Sequence, residues 1–174
     1  EIVIPVKRED YEVFADTATD FFKYWNVVPE FHGLDKESLK SELEVDITIE
    51  GEGWYADRKA NSSFAIMGNI AYPISSYDLN FDSHSDNRKA LLNSGIIINF
   101  PIGDLEISAS RELLQYTDRT KEAILSRLKA IVDKLPDVLA GALGECKTYW
   151  DAKIIYNELF YHGGSLYALK DVIK

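Results

Sequence analysis

The residues best suited to chemistry lie in one short segment near residue 110. Ser108 lies at the end of an alternating stretch, and Ser110 and Arg111 follow it before a helical one begins, so we predict a polar loop here that brings the three residues together. A guanidinium is permanently charged and can hold a carboxylate or a phosphate through two parallel hydrogen bonds. The loop could therefore bind an anion, but the commoner role of such an arginine is to pair with an acidic neighbour such as Glu112.

A second candidate for chemistry is the run DSHSD at residues 82–86. In this run Asp82, His84 and Asp86 could offer oxygen and imidazole ligands to a metal ion. Metal sites normally draw their ligands from several elements, so a solvated loop is the simpler interpretation.

The usual catalytic signatures are missing from the sequence. It contains no phosphate-binding GxxxxGK[ST] loop, no GxGxxG and no GxSxG. Its single cysteine, Cys146, cannot form a zinc cluster or an internal disulfide, and it fits a reducing compartment. Acidic and basic side chains around residues 50–58 indicate the charged, solvated end of a hairpin.

The composition limits the possible partners. The 174 residues are 46% hydrophobic and 12% aromatic, which supports a sizeable core, and the formal net charge is −10. Such an acidic surface repels nucleic acid and anionic membranes. No apolar run reaches the roughly 20 residues of a membrane helix. We therefore expect a cytoplasmic location without direct membrane insertion.

Hydrophobic periodicity, together with residues that interrupt helices and strands, predicts the elements that position the polar loop. Period-two or continuous apolar patterns predict strands at residues 1–7, 44–50, 54–58, 64–74, 96–100 and 104–109, with a turn at 51–53. Apolar stripes of helical spacing predict helices at 9–25, 88–93, 118–135 and 146–160, with a short helical piece at 38–43. Thr117 is the expected N-cap of the long helix, and Pro136 is expected to end it.

Together these elements predict an α+β fold. The sheet is mixed and has four or five strands, with helices on one face and a helical extension at the C-terminus. The aromatic stripe of the helix at 9–25 is expected to pack against the sheet. A turn at Gly163 and Gly164 should lead into a final helix.

A family resemblance adds to this interpretation. The run DLEISASRE at residues 104–112, followed by a long amphipathic helix, resembles the end of the transducer, or middle, domain of GHKL ATPases, the superfamily of DNA gyrase B, MutL and the ninety-kilodalton heat-shock chaperones. In MutL-like members a lysine here reaches the γ-phosphate of ATP, and that position falls on Arg111. The runs MGNIAYPI at 67–74, FPIGD at 100–104 and SRE at 110–112 look like the bacteriophage rIIA-like family within this superfamily.

The resemblance implies a domain organisation. Residues 1–28 would hold the last strand of an ATP-binding domain and a linker helix, 29–135 a two-layer transducer domain with a left-handed βαβ crossover, and 136–174 a truncated helical extension. We therefore expect the chain to be part of a longer protein. The ATP-binding motifs themselves, an NExxD helix and a glycine-rich lid, are absent from this sequence.

The resemblance also implies a function. An upstream domain would bind ATP and magnesium, and Arg111 would contact the γ-phosphate with Ser108 and Ser110 as supporting donors. The chain alone would not hydrolyse ATP but would couple nucleotide state to domain movement in phage lysis control, with a possible homodimer and peripheral association with the host inner membrane. The alternative is a protein–protein interaction or dimerisation module that uses the aromatic helices at 9–25 and 145–160.

Overall fold

Five β-strands form one mixed sheet in the part of the chain that the structure describes, namely residues 4–27, 29–32, 36–81, 87–161 and 166–170. In this computed structural model the strands are β1 (Ile47–Gly51), β2 (Trp54–Asp57), β3 (Phe64–Met67), β4 (Ile70–Pro73) and β5 (Ile96–Phe100). Across the sheet they lie in the order β1-β2-β5-β3-β4.

The helices occupy the segments before, between and after these strands. They are α1 (Tyr11–Phe22), α2 (Lys36–Leu43), α3 (Asn87–Leu92), α4 (Asp118–Gly144) and α5 (Tyr149–Phe160), with short 3₁₀ turns at Arg8–Asp10 and Tyr167–Leu169. A mixed five-stranded sheet accompanied by helices confirms the predicted α+β class.

Strand β5 lies at the centre of the sheet between two hairpins. It pairs antiparallel with β2 of the β1-β2 hairpin and parallel with β3 of the β3-β4 hairpin. Ile96, Ile97 and Ile98 are fully buried, as expected for a central strand covered on both faces. The predicted buried strand at 96–100 and the predicted hairpin around 51–53 are both confirmed.

The segment 64–74, predicted as one long strand, is instead the β3-β4 hairpin. Gly68 and Asn69 form its two-residue loop, and Gly68 has a φ of +69°. A positive φ at the first loop residue matches the twist of the flanking strands and suits glycine. Apolar residues fill both strands, so the continuous hydrophobic run concealed the turn.

Helix α4 crosses the core for 27 residues and does not end at Pro136 as predicted. Leu135 and Leu139, on either side of the proline, are both buried. Of these two, only Leu139 lies beyond the proline, and burying its side chain contributes about 1.5–3 kcal/mol, whereas a proline inside a helix costs about 3 kcal/mol. Burial of Leu139, together with the packing of Val138 against the core, therefore offsets the helix-breaking tendency of the proline.

Helix α1 exposes much of the aromatic stripe that was expected to pack on the sheet. Phe14 is exposed, and Phe21 is 47% exposed. Phe22 and Trp25 pack against each other with their ring centroids 4.7 Å apart. The prediction of a sheet-facing stripe is therefore wrong for its exposed members. The predicted strand at 1–7 is also wrong for residues 4–7, which have no strand structure.

Helix α5 begins with a capping box. Thr148 Oγ1 accepts the N–H of Asp151 at 3.1 Å, and the Asp151 carboxylate accepts the N–H of Thr148 at 3.1 Å. Tyr149 and Trp150, in the first turn, are 85% and 66% exposed. The glycine turn predicted at 163–164 lies outside the described residues, and the described part of the predicted final helix is a 3₁₀ turn.

Candidate functional site

The loop between β5 and α4, residues 101–117, carries the three site residues predicted from the sequence. The strand predicted at 104–109 is wrong, because the segment forms only one isolated β-bridge, between Ile107 and Leu114. Leu105 is buried, as the alternation predicts. Ile107 is half-buried like Glu106 and Ser108, and Ala109 is exposed, so the alternation does not continue along the segment. The loop folds back on itself and does not join the sheet.

Hydrogen bonds fix the base of this loop to α4. The N–H of Glu106 donates to Thr120 Oγ1 at 3.0 Å, and Arg119 Nη2 donates to the carbonyl of Gly103 at 2.9 Å. Thr117 is the N-cap, as predicted, and its hydroxyl accepts the N–H of Thr120 at 3.4 Å. The loop is therefore held in a defined orientation relative to the helix.

The tip of the loop is a tight turn that brings the three predicted residues together. The N–H of Ser108 donates to the carbonyl of Leu113 at 2.8 Å, and the N–H of Arg111 donates to the carbonyl of Ser108 at 2.9 Å. The hydroxyl oxygens of Ser108 and Ser110 are 2.9 Å apart, and the N–H of Leu113 donates to Ser108 Oγ at 3.3 Å. The serine hydroxyls thus take part in building the turn.

Arg111 has a left-handed backbone, with a φ of +63°. This conformation costs a residue other than glycine about 1–2 kcal/mol, because Cβ approaches the carbonyl oxygen. The hydrogen bonds of the tip hold it there. Strained backbone of this kind is found in tight turns and is concentrated at functional sites.

The side chain of Arg111 is exposed, and no carboxylate in the described ranges lies within ion-pair distance of it. An unpaired guanidinium at a loop tip has its five donors free to meet an anion on another molecule or domain. The tip is therefore suited to anion recognition.

The residues of the alternative metal site, Asp82, His84 and Asp86, lie outside the described residues. Elsewhere, within the described ranges, no three His, Cys, Asp or Glu side chains are grouped as metal ligands.

The sequence interpretation missed a buried polar cluster around Asp57. Its carboxylate is fully buried and lies 2.7 Å from Lys23 Nζ. It also accepts the Tyr24 hydroxyl at 3.1 Å and the backbone N–H groups of Asp46 and Lys59 at 3.1 and 3.0 Å. The prediction of a solvated hairpin end is therefore wrong for Asp57. Local sequence gives no signal for this burial, since the covering side chains come from the distant end of α1.

This cluster raises the pKa of two tyrosines. Burial, reinforced by the negative charge of Asp57, raises the pKa of Tyr24 far above its usual value near 10. The same two causes, in the same order, raise the pKa of Tyr55 to about 12. The folded chain therefore keeps both phenols protonated at a pH where the unfolded chain ionises them.

We expect alkaline pH to destabilise the fold through Tyr55. Its contribution to stability is complete below pH 10 and is lost as the pH rises from 10 towards 12, because only the unfolded state releases the proton in that range. When the pH is raised from 8 to 11, the free energy of unfolding of the wild type should fall by about 1 kcal/mol more than that of Tyr55→Phe. Urea unfolding at the two pH values measures this difference. Tyr77→Phe, at an exposed position, is the control. Equal losses in all three proteins would contradict the assignment.

Comparisons with protein-family models, curated proteins and solved structures find no match. No helix in the described ranges combines the length and apolar character needed to cross a bilayer.

Proposed function

We propose that the chain is a transducer-like region of a GHKL-type ATPase, related to the bacteriophage rIIA-like family. In this proposal Arg111 contacts the γ-phosphate of a nucleotide held by a separate ATP-binding domain. The observation that carries it is the exposed guanidinium, which is fixed at the tip of a hydrogen-bonded loop and lacks a carboxylate partner among the described residues.

The chemistry of the tip fits a phosphate better than a metal ion. Arg111 would bind two phosphate oxygens, and the exposed hydroxyl of Ser110 could add a donor. The hydroxyl of Ser108 already accepts a backbone N–H, so it would support the turn. ATP and magnesium would be bound by the other domain, and this chain would stabilise charge that develops on the γ-phosphate.

The base of the loop gives a route for coupling. Hydrogen bonds from Glu106 to Thr120 and from Arg119 to Gly103 join the base of the loop to the first turn of α4. A phosphate that draws Arg111 towards the ATP-binding domain would displace α4 with it, because the helix and the loop base are linked. The chain would then convert nucleotide binding into relative domain movement.

The biological setting of the proposal comes from the family resemblance. It is the control of phage lysis in the host cytoplasm, with attachment to the inner membrane through partners and a possible homodimer. No role in nucleic-acid binding is proposed, because the formal net charge is −10.

The test is ATP turnover by the chain expressed in frame with the coding sequence that precedes it. Arg111→Gly removes the guanidinium while suiting the left-handed backbone, so the loop should keep its shape. We expect turnover to fall about 10²–10³-fold in this variant and to be largely retained in Arg111→Lys. Arg8→Ala, at another exposed arginine, is the matched control.

Two outcomes would overturn the proposal. One is the absence of an ATP-binding motif in the preceding sequence. The other is turnover that Arg111→Gly leaves at the wild-type level. Unfolding measurements on each variant would show whether any loss of turnover reflects a loss of folded protein.

A second candidate function, a protein–protein interaction module, is favoured by the exposed aromatic residues of α1 and α5. Phe14, Phe21, Tyr149 and Trp150 place large apolar surfaces in solvent. Under this alternative Arg111 is structural, and Trp150→Ser rather than Arg111→Gly should abolish association with a partner. The two candidates therefore differ in which substitution removes activity.

A further inference from the structure

We infer that a cleft beside strand β1 binds an extended, apolar peptide segment that carries lysine or arginine. The cleft has a volume of about 540 Å³ and lies between β1, the C-terminal part of α4 and helix α5. This inference uses residues remote in sequence from Arg111 and does not depend on the proposed nucleotide chemistry.

The floor of the cleft is apolar and has room for side chains. It is formed by Ile49, Val138, Ala142, Ile155 and Leu159. Gly141 lies in the wall, and a Cβ added there would meet no atom within 4 Å. Ile47, at the start of β1, is 48% exposed and extends the apolar surface at the mouth. The cleft can therefore bury apolar side chains of a partner.

The charged residues that line the cleft are all acidic. They are Glu50 from β1, Glu145 at the end of α4 and Glu158 from α5. Arg58 lies 3.8 Å from Glu158 and 3.7 Å from Asp46, so it compensates one of these charges in part. Glu50 and Glu145 pair with no cation among the described residues. A cationic partner is therefore favoured electrostatically.

The same charges argue against a second copy of this chain as the occupant. A symmetric contact between two such clefts would bring both sets of three glutamates together. The whole chain also has a formal net charge of −10, which disfavours self-association through this surface.

The position of β1 at the edge of the sheet indicates how the segment would bind. Strand β1 is the last in the sheet order, and in the part of the chain described no strand pairs with its outer side. A strand at the edge of a sheet can accept an additional strand, whose backbone pairs with the edge while alternate side chains enter a neighbouring pocket. An extended segment can thus pair with β1 and place its apolar side chains on the floor of the cleft.

The test is selection of short random peptides, displayed on yeast, against the purified chain. We expect the enriched peptides to combine apolar residues with lysine or arginine. Gly141→Leu should weaken their binding about tenfold or more, because the new side chain occupies the cleft. Gly144→Leu is the matched control, since Gly144 lies on the same helix, has the same open space and does not line the cleft.

Charge reversal tests the chemistry of the partner independently of its shape. Glu145→Lys should weaken the enriched cationic peptides about tenfold. Asp137→Lys changes the net charge equally on the same helix, outside the cleft, and should leave the affinity within about twofold. Leucine has a higher helix propensity than glycine, so Gly141→Leu should not lose binding through unfolding, and urea unfolding of each variant checks this.

Several results would overturn the inference. These are a selection that enriches no peptide, enriched peptides without basic residues, or affinities that Gly141→Leu leaves unchanged. Concentration-dependent dimerisation that Gly141→Leu abolishes would also overturn it, since the occupant would then be a second copy of the chain.

Discussion

Replacing Asp57 with alanine should lower the free energy of unfolding by about 3–5 kcal/mol. The substitution leaves the Lys23 ammonium, which is only 13% exposed, without its counter-ion 2.7 Å away. It also removes the acceptor for the backbone N–H groups of Asp46 and Lys59 and for the Tyr24 hydroxyl. Each buried donor left unpaired adds its own desolvation cost. Urea unfolding of the two proteins at pH 7 measures the loss.

Replacing Lys23, the ion-pair partner of Asp57, should lower the free energy of unfolding by a smaller amount. In Lys23→Met the Asp57 carboxylate keeps its tyrosine and its two backbone donors, and the methionine can still pack where the lysine stem lay. We expect a loss of about 1–3 kcal/mol, and about 1 kcal/mol for Tyr24→Phe. Glu50→Ala, an exposed substitution on β1, should change stability by less than about 0.5 kcal/mol. If Asp57→Ala behaved like Glu50→Ala, the carboxylate would have to be solvated in the folded protein.

Replacing Pro136 with alanine should stabilise the chain by about 2 kcal/mol. Alanine restores the N–H that a helix needs at this position and removes the clash of the proline ring with the preceding turn, which together are worth about 3 kcal/mol. Without the proline the unfolded chain is more flexible, which reduces this gain in the free energy of unfolding by about 0.4–1 kcal/mol. The melting temperature should rise by about 4–8 °C, measured by thermal unfolding followed by circular dichroism.

Pro101→Ala is the control for this prediction. Pro101 is exposed and follows β5 outside any helix, so only the unfolded-state effect applies and stability should fall by about 0.4–1 kcal/mol. If Pro136→Ala were also destabilising, the proline would be shaping α4 so that Leu139 reaches the core.

Elements encoded by local chemistry could be predicted from the sequence. Glycines around residues 51–53 mark the turn of the first hairpin, and Thr117 marks the start of the long helix. Gly95, with a φ of +64°, follows the short helix α3. Each of these signals depends on backbone conformations that only a few residue types adopt easily, so neighbouring residues suffice to detect it.

Features that depend on a distant partner could not be predicted. The sequence alternates at 104–109, but whether such a segment becomes a strand depends on a neighbouring strand, and among the described residues it forms only the bridge between Ile107 and Leu114. The stripe of α1 is apolar, yet periodicity does not reveal what covers it. Asp57 appears among other charged residues, and its burial follows from Lys23 and Tyr24. Tertiary context decides each of these cases.

For the candidate site, too, local sequence predicts some features and tertiary context decides others. Breakers and polarity place Ser108, Ser110 and Arg111 on one loop, and the structure brings them together at its tip. The left-handed backbone of Arg111 had no sequence signal, because glycine or asparagine is the usual choice there. The contact between Arg111 and a phosphate stays a prediction.

The position of β5 has a consequence for how the chain folds as it is synthesised. The first four strands emerge from the ribosome as two separate hairpins, and isolated hairpins are marginally stable in water. Strand β5 emerges after both and joins them, pairing in parallel with β3 across a long intervening segment. Non-local pairing of this kind is slow, so nascent chains that end before residue 96 should expose apolar strands and be prone to aggregation.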